Sequence, residues 1–343
     1  MRGECSIPAV VGALALLCIL VVPNQGAAGP AAPRPITLVG SCTAGGTPGM
    51  FGIAYDPSNR FVYVPDEPGG RVTILNSSCG LVKSVSLGNP VPMSAVYDPA
   101  NGYVYVGCDR VATKGNADPV YVLDNTSVIA TLNGPYDGAE FMAYDPAAGL
   151  MIVANDHTNN LTAINGTSTT SLFTGVGATP IAIAYDPMAN VLVVANLGNG
   201  TVAANLTLIN ASAPFGPSPH RSVPNISAEN LAFDPNDGRD YASSGSTVWE
   251  LRGNGSVVAM RHLSHGSYSG GPGGLLYDPP KRQMLVSDGN TVWAIKGNRT
   301  ISRFTLTSFP PITGALLEKM AYDRFNHLVY VVGYASGRTY ELT

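Results

Sequence analysis

Residues 53–64 read Ile-Ala-Tyr-Asp-Pro-Ser-Asn-Arg-Phe-Val-Tyr-Val: an apolar strand that ends in Tyr55-Asp56-Pro57 and is answered by a second strand, Arg60-Phe61-Val62-Tyr63-Val64. The turn between them has a physical basis. An Asp carboxylate accepts backbone N–H bonds from the residues just after it, and the following Pro presets the φ that a tight turn needs. The unit recurs at Tyr97-Asp98-Pro99, Tyr144-Asp145-Pro146, Tyr185-Asp186-Pro187, Phe233-Asp234-Pro235, Tyr277-Asp278-Pro279 and Tyr322-Asp323-Arg324. Its period of roughly 41 to 48 residues is the length of one four-stranded propeller blade and exceeds that of the shorter solenoid repeats. Seven copies mark the aspartates as structural.

Working outward from each turn, the second strand recurs as Tyr103-Val104-Tyr105-Val106, Leu150-Met151-Ile152-Val153, Val191-Leu192-Val193-Val194 and His327-Leu328-Val329-Tyr330-Val331. A third follows, as in Arg71–Leu75, Thr247–Leu251 and Thr291–Ile295, and a fourth, as in Leu81–Leu87, completes blades one to six. These segments are rich in the β-branched and aromatic residues that suit strands. Blade seven runs out at Thr343 before a fourth strand, whereas Pro35-Ile36-Thr37-Leu38-Val39-Gly40 precedes the first repeat without a blade of its own. Pairing these two ends closes the ring and leaves no bare edge. The reading is therefore an all-β, seven-bladed β-propeller of four-stranded blades, one domain over residues 29–343, with the N-terminal strand completing the last blade.

The segments Phe61-Val62-Tyr63-Val64-Pro65-Asp66, Met151-Ile152-Val153-Ala154-Asn155 and Leu192-Val193-Val194-Ala195-Asn196 resemble the YVTN-repeat β-propellers of microbial surface-layer and secreted proteins. The resemblance covers roughly residues 35–343. It implies a binding, adhesion or surface-structural module that meets a cell-surface polymer, a glycan or an envelope protein. Tyr241-Ala242-Ser243-Ser244 and Tyr330-Val331-Val332-Gly333 lack the terminal Asn, which weighs against a sevenfold ligand ring at that position.

Composition narrows the classes further. With 45% hydrophobic and 12% charged residues the chain can bury a large core. A net charge of −4 without any Lys/Arg cluster gives nucleic acid nothing to hold. Residues 1–28 read as an export signal: Arg2, an apolar run from Ile7 to Val22, Pro23, then Gly26, Ala27 and Ala28. The run is shorter than the roughly 20 residues of a membrane-spanning helix, so the mature chain is expected to carry no span and to reside outside the cell or on its surface. Three cysteines remain in the mature chain, Cys42, Cys79 and Cys108. One disulfide and one free thiol can be drawn in three ways, and the sequence leaves all three open.

Ten Asn-X-Ser/Thr sequons occur, at Asn76, Asn125, Asn160, Asn165, Asn199, Asn205, Asn210, Asn225, Asn254 and Asn298. Roughly three or four would arise from composition alone. Six of them (Asn76, Asn125, Asn165, Asn210, Asn254, Asn298) fall at the expected turn between third and fourth strands, which places them on one face of the ring. Asn also suits such turns for its own sake. Occupied by sugar, that face would be shielded, leaving the opposite face for contact.

The opposite face collects the loops after the second strands, and its candidate ligand residues are Asp66, Glu67, Asp109, Arg110, Asp156, His157, Asn196 and Asp288. A carboxylate cluster at the channel mouth is suited to Ca²⁺ through hard oxygen ligands, and His157 would extend it to a transition metal or an acid–base pair. As isolated residues without a contiguous calcium loop, they read first as solvated loop positions. No cofactor is otherwise evident: the haem-attachment Cys-X-X-Cys-His, the Gly-X-Ser-X-Gly elbow, the phosphate loop and the His-Glu-X-X-His helix are all absent. His262 and His265, three apart on a strand, point to opposite faces. His220 and His327 read as solvated or packed. Two functions stand: an exported binding module, and a metal-assisted propeller hydrolase of the lactonase type.

Overall fold

The computed structural model describes residues 35–43, 48–88, 91–109, 118–216, 220–263, 272–306 and 316–343. The stretch read as an export signal, Arg110 and His265 lie outside them. The described residues form seven four-stranded antiparallel sheets. Blade one runs from the axis outward as Ala54–Asp56, Phe61–Asp66, Arg71–Asn76 and Leu81–Ser86. Blades two to six repeat that order from the inner strands Val91–Tyr97, Phe141–Asp145, Pro180–Asp186, Asn230–Asp234 and Pro272–Asp278. Residues in or just before all seven inner strands, including Gly52, Ser94, Glu140, Ala182, Asn230, Leu275 and Lys319, surround one central channel.

Blade seven closes the ring as the sequence suggests. Its inner three strands are Leu317–Asp323, Leu328–Gly333 and Arg338–Leu342, and the outer strand is Leu38–Thr43. Pairing begins one residue earlier, where Thr37 and Thr343 exchange two backbone bonds of 3.0 Å. The strand also extends three residues past the expected end at Gly40. There the register slips between Leu38 and Gly40 and the ladder continues to Thr43, opposite Arg338. Glycine permits the slip, because a Cβ at position 40 would strike the Glu341 carboxylate. Ile36 turns inward and is buried among Leu285, Leu317, Val329 and Leu342.

The seam between blades seven and one is also covalent. Of the three possible pairings, the chain makes Cys42–Cys79, joining the closing strand to the outer turn of blade one across a Cα–Cα distance of 5.3 Å. Cys108 is a buried free thiol, and burial pushes its pKa up so that it stays protonated.

The repeat turns follow the mechanism anticipated for them. All seven aspartates are buried. Asp56, Asp98, Asp145, Asp186, Asp234 and Asp323 each accept the backbone N–H of the second residue onward, at 2.7–2.9 Å. Asp278, followed by two prolines, accepts the Lys281 backbone N–H and Gln283 Nε2, the latter at 3.0 Å. A second repeated device fastens blade to blade. Tyrosines in the second strand reach across to a backbone carbonyl in the next blade's outer turn: Tyr63 Oη to Asn125 at 2.9 Å, Tyr105 Oη to Gly166 at 2.8 Å and Tyr330 Oη to Ser77 at 3.2 Å. Removing one such hydroxyl leaves a partly buried acceptor unpaired. Tyr105→Phe is expected to cost about 1–2 kcal/mol in urea unfolding, with an unchanged midpoint counting against the clasp.

Candidate functional site

Strand direction sorts the loops onto two faces. The Asp turns and the turns between third and fourth strands occupy one. The ends of the second strands, the starts of the third and the connections between blades occupy the other, and the channel opens there. The six turn asparagines Asn76, Asn125, Asn165, Asn210, Asn254 and Asn298 are all exposed on the first face. Asn199 and Asn225 are exposed on the second. Asn160 is buried at 8% exposure and hydrogen-bonded to Asn155, so its side chain is inaccessible to a glycan in the fold. Asn205 is partly buried and bonded to Asn196.

Three of the sequence candidates for ligand binding are buried at the ends of their strands. Asp66 is buried at the end of its strand, takes the Arg71 Nε at 2.7 Å and caps the Gly69 N–H at 3.1 Å. Asn196 is buried too, its Nδ2 donating to Asn205 Oδ1 and Thr207 Oγ1, both at 3.0 Å. Asn155 makes the same pair of bonds to Asn160 and Thr162 in the neighbouring blade. Asp288 is likewise buried, at the end of its strand. The solvated-loop reading of these positions is therefore replaced by burial: the polar heads of Asp66 and Asn196 serve the hairpins from which they come, and Asp288 is buried at its strand end.

Asp109, Asp156 and His157 are brought together, with two residues that sequence reasoning did not select. Asp109 ends the second strand of blade two, Asp118 precedes its third, and Asp156-His157 follow the second strand of blade three. One ligand atom from each of Asp109, Asp118 and His157 lies within 4.8 Å of the others. Around them, Asp118 Oδ2 accepts the Gly138 N–H at 2.7 Å, and His157 Nδ1 meets Asp137 Oδ1 at 3.2 Å. That contact orients the imidazole, whose Nε2 lies 3.7 Å from Asp156 Oδ2. Asp156 Oδ1 is buried without a hydrogen-bond partner. Gly138 makes room for that carboxylate, since a Cβ there would overlap Asp156 Oδ1. Burial, set against the neighbouring His157 and reinforced by Asp109, raises the Asp156 pKa.

Glu140 connects this cluster to the channel. Its carboxyl shares a hydrogen bond with Asp109, and burial together with the Asp109 and Asp156 charges pushes its pKa up strongly. Glu67, beside Tyr334 and within the field of Asp109, is raised for the same first reason, burial. Glu140 also lines a cavity of about 390 Å³ at the channel mouth, with Phe51, Phe141, Glu229, Asn230, Glu318 and Lys319 among its walls. Lys319 donates to Asn230 Oδ1. Its Nζ lies 5.7 Å from the Phe51 ring centre and 5.6 Å from that of Phe141, and the two rings meet edge to face.

The channel residues escaped the motif search because they sit in the repeat without breaking it. Counted back five from each repeat Asp, the seven positions are Phe51, Met93, Glu140, Ile181, Glu229, Gly273 and Glu318. Counted back four they are Gly52, Ser94, Phe141, Ala182, Asn230, Gly274 and Lys319. Three glutamates and a lysine at positions otherwise apolar, small or amide are a legible departure, visible only once the repeats are stacked. The glycines in the same columns let the inner strands converge: a Cβ on Gly273 would strike the Leu317 carbonyl. Elsewhere, half-buried His220 packs edge-on against Phe173, and exposed His327 bonds Tyr322 at the surface. Among the described residues no helix is long and apolar enough to cross a membrane.

No family model and no curated protein matches this sequence. Solved structures do. Virginiamycin B lyase from Staphylococcus aureus superposes with a TM-score of 0.70 at 11% identity, over 90% of this chain and 99% of that one. A streptogramin B lyase structure gives 0.70 at 12% identity, over 91% and 99%. At that identity the likeness is one of architecture, and it establishes this chain as a seven-bladed β-propeller.

Proposed function

We propose that this protein is an exported, cell-surface binding module of the YVTN-repeat kind. In this reading its channel mouth takes a divalent cation on Asp109, Asp118 and His157, and through that ion it holds an oxygen-rich ligand such as a surface glycan or an envelope polymer. The observation that carries the reading is the convergence of two carboxylates and an imidazole within 4.8 Å, from two adjacent blades, with Asp137 orienting the imidazole. Carboxylates alone would suit Ca²⁺; the imidazole moves the preference toward Mn²⁺ or Zn²⁺. The six exposed turn sequons favour a glycosylated opposite face, which leaves the mouth as the contact surface.

Cation binding is tested by thermal unfolding after chelator treatment. Restoring Mn²⁺ or Zn²⁺ at a hundredfold excess over Kd stabilises the folded state by about 2.7 kcal/mol. In a chain of this size that is roughly a 4 °C rise in Tm. The rise is expected to vanish in Asp118→Asn and His157→Gln. A wild-type Tm indifferent to every divalent ion would overturn the assignment.

A second reading, metal-assisted catalysis on a small substrate, is favoured by one further observation. Glu140 both contacts Asp109 and lines the adjoining cavity, so an acidic group stands between the cation ligands and a substrate-sized space. The lyases of similar fold are enzymes, which adds an analogy of architecture. Chelator-sensitive turnover of a lactone, ester or lyase substrate panel would establish this reading over pure binding. Retained glycan binding with no turnover would leave the binding module.

A further inference from the structure

Lys319 stands apart from the cation cluster and calls for its own explanation. Its neighbours in blade seven and across the channel are carboxylates, Glu318, Glu229 and Glu140, yet its Nζ makes its hydrogen bond to the neutral amide of Asn230. Two aromatic rings flank the nitrogen at 5.6 and 5.7 Å. The side chain opens on the cavity of about 390 Å³, which is large enough for a compound of benzaldehyde size and lies at the entrance to the channel. An anionic ligand would meet three glutamates there. A neutral one would meet an amine, two aromatic walls and a carboxyl.

We propose that Lys319 is a nucleophilic amine that captures a neutral aldehyde or ketone, preferably one bearing an aromatic or apolar group that packs on Phe51 and Phe141, as an imine. The amine lone pair forms the C–N bond as the carbonyl π bond opens, and a proton passes from nitrogen to the former carbonyl oxygen to give the carbinolamine. The C–O bond then breaks. Water leaves with a proton donated by Glu318, and the iminium proton returns to that carboxylate, so that one amine and one carbonyl become one imine and one water. Asn230 orients Nζ, and the aromatic walls exclude bulk water and hold the apolar group. Burial supports the chemistry from both sides: it lowers the Lys319 pKa, enlarging the unprotonated fraction that attacks, and raises that of Glu318, keeping the proton donor charged with its proton nearer neutrality.

The test uses the full mature chain, benzaldehyde and cyanoborohydride at pH 7, followed by peptide mapping. Lys83, Lys281 and Lys296 serve as internal references. Labelling at Lys319 is expected to be at least about tenfold faster than at these lysines, to saturate with benzaldehyde concentration, and to fall severalfold in Phe141→Ala. Lys319→Met removes the fast label, and its circular dichroism reports whether the fold persists. Should that variant fail to fold, Asn230→Ala, which leaves the amine in place, is expected to slow the label. Labelling at Lys319 no faster than at the surface lysines, or rising linearly with aldehyde at every site, would overturn the proposal. Because the readout needs no divalent ion and is run with chelator, its failure is distinct from failure of the cation site.

Discussion

Deletion of residues 35–43 is expected to remove most of the protein's stability while leaving blades two to six chemically unaltered. Three contributions disappear together. The edge of Arg338–Leu342 loses its ladder partner, exposing backbone groups and the buried Tyr340. Ile36 and Cys42 leave the cores they share with blades six, seven and one. The Cys42–Cys79 cross-link, spanning 37 residues, is lost, and a loop of that length accounts for about 3–4 kcal/mol on the chain-entropy model. Against a typical total of roughly 5–15 kcal/mol, this is decisive. Urea unfolding separates the parts: Cys42→Ser with Cys79→Ser is expected to lose the disulfide share and keep the ring, and the deletion to lose more. A deletion variant with the wild-type midpoint would mean that the ring closes without its N-terminal strand.

The second large effect lies between blades four and five. Asp240 is buried, its Oδ1 has no hydrogen-bond partner, and burial together with the nearby Asp186 charge raises its pKa to about 7. The sign follows from proton binding. Between the ordinary carboxylate range and about 7, the folded chain holds a proton that the unfolded chain has released, so stability is full below about pH 4 and declines as pH rises toward 7. Above that, the fold carries the whole cost of a buried, unpaired charge. Asp240→Asn is therefore expected to stabilise the protein at pH 8 by on the order of 2–4 kcal/mol and to change little at pH 4. Unfolding measured at both pH values checks it; equal effects at the two would show that Asp240 is ionised in the fold throughout.

Much of the architecture is legible in the sequence because propeller blades repeat their chemistry. The Asp turn announces itself seven times, and the missing fourth strand of blade seven points to its replacement. The seam disulfide was not legible: three cysteines allow three pairings, and the choice depends on the closing strand bringing Cys42 beside the outer turn of blade one. The site was half legible. Asp109, Asp156 and His157 stand out as charges after strands, but Asp66, Asn196 and Asp288 look the same in sequence and differ in being buried, the first two by bonds back into their own hairpins. Lys319 and the three glutamates hide for the converse reason. They occupy inner-strand positions that elsewhere carry apolar or small residues, and only the ring brings them to one channel.

The most direct measurement of the central claim is isothermal titration of the chelated protein with Mn²⁺, repeated on Asp109→Asn, Asp118→Asn and His157→Gln. One ion per chain in the wild type, weakened by at least about tenfold in each variant (a change of ~1.4 kcal/mol), is the predicted result. Absence of saturable binding in the wild type, or binding that the three substitutions leave unchanged, would contradict it.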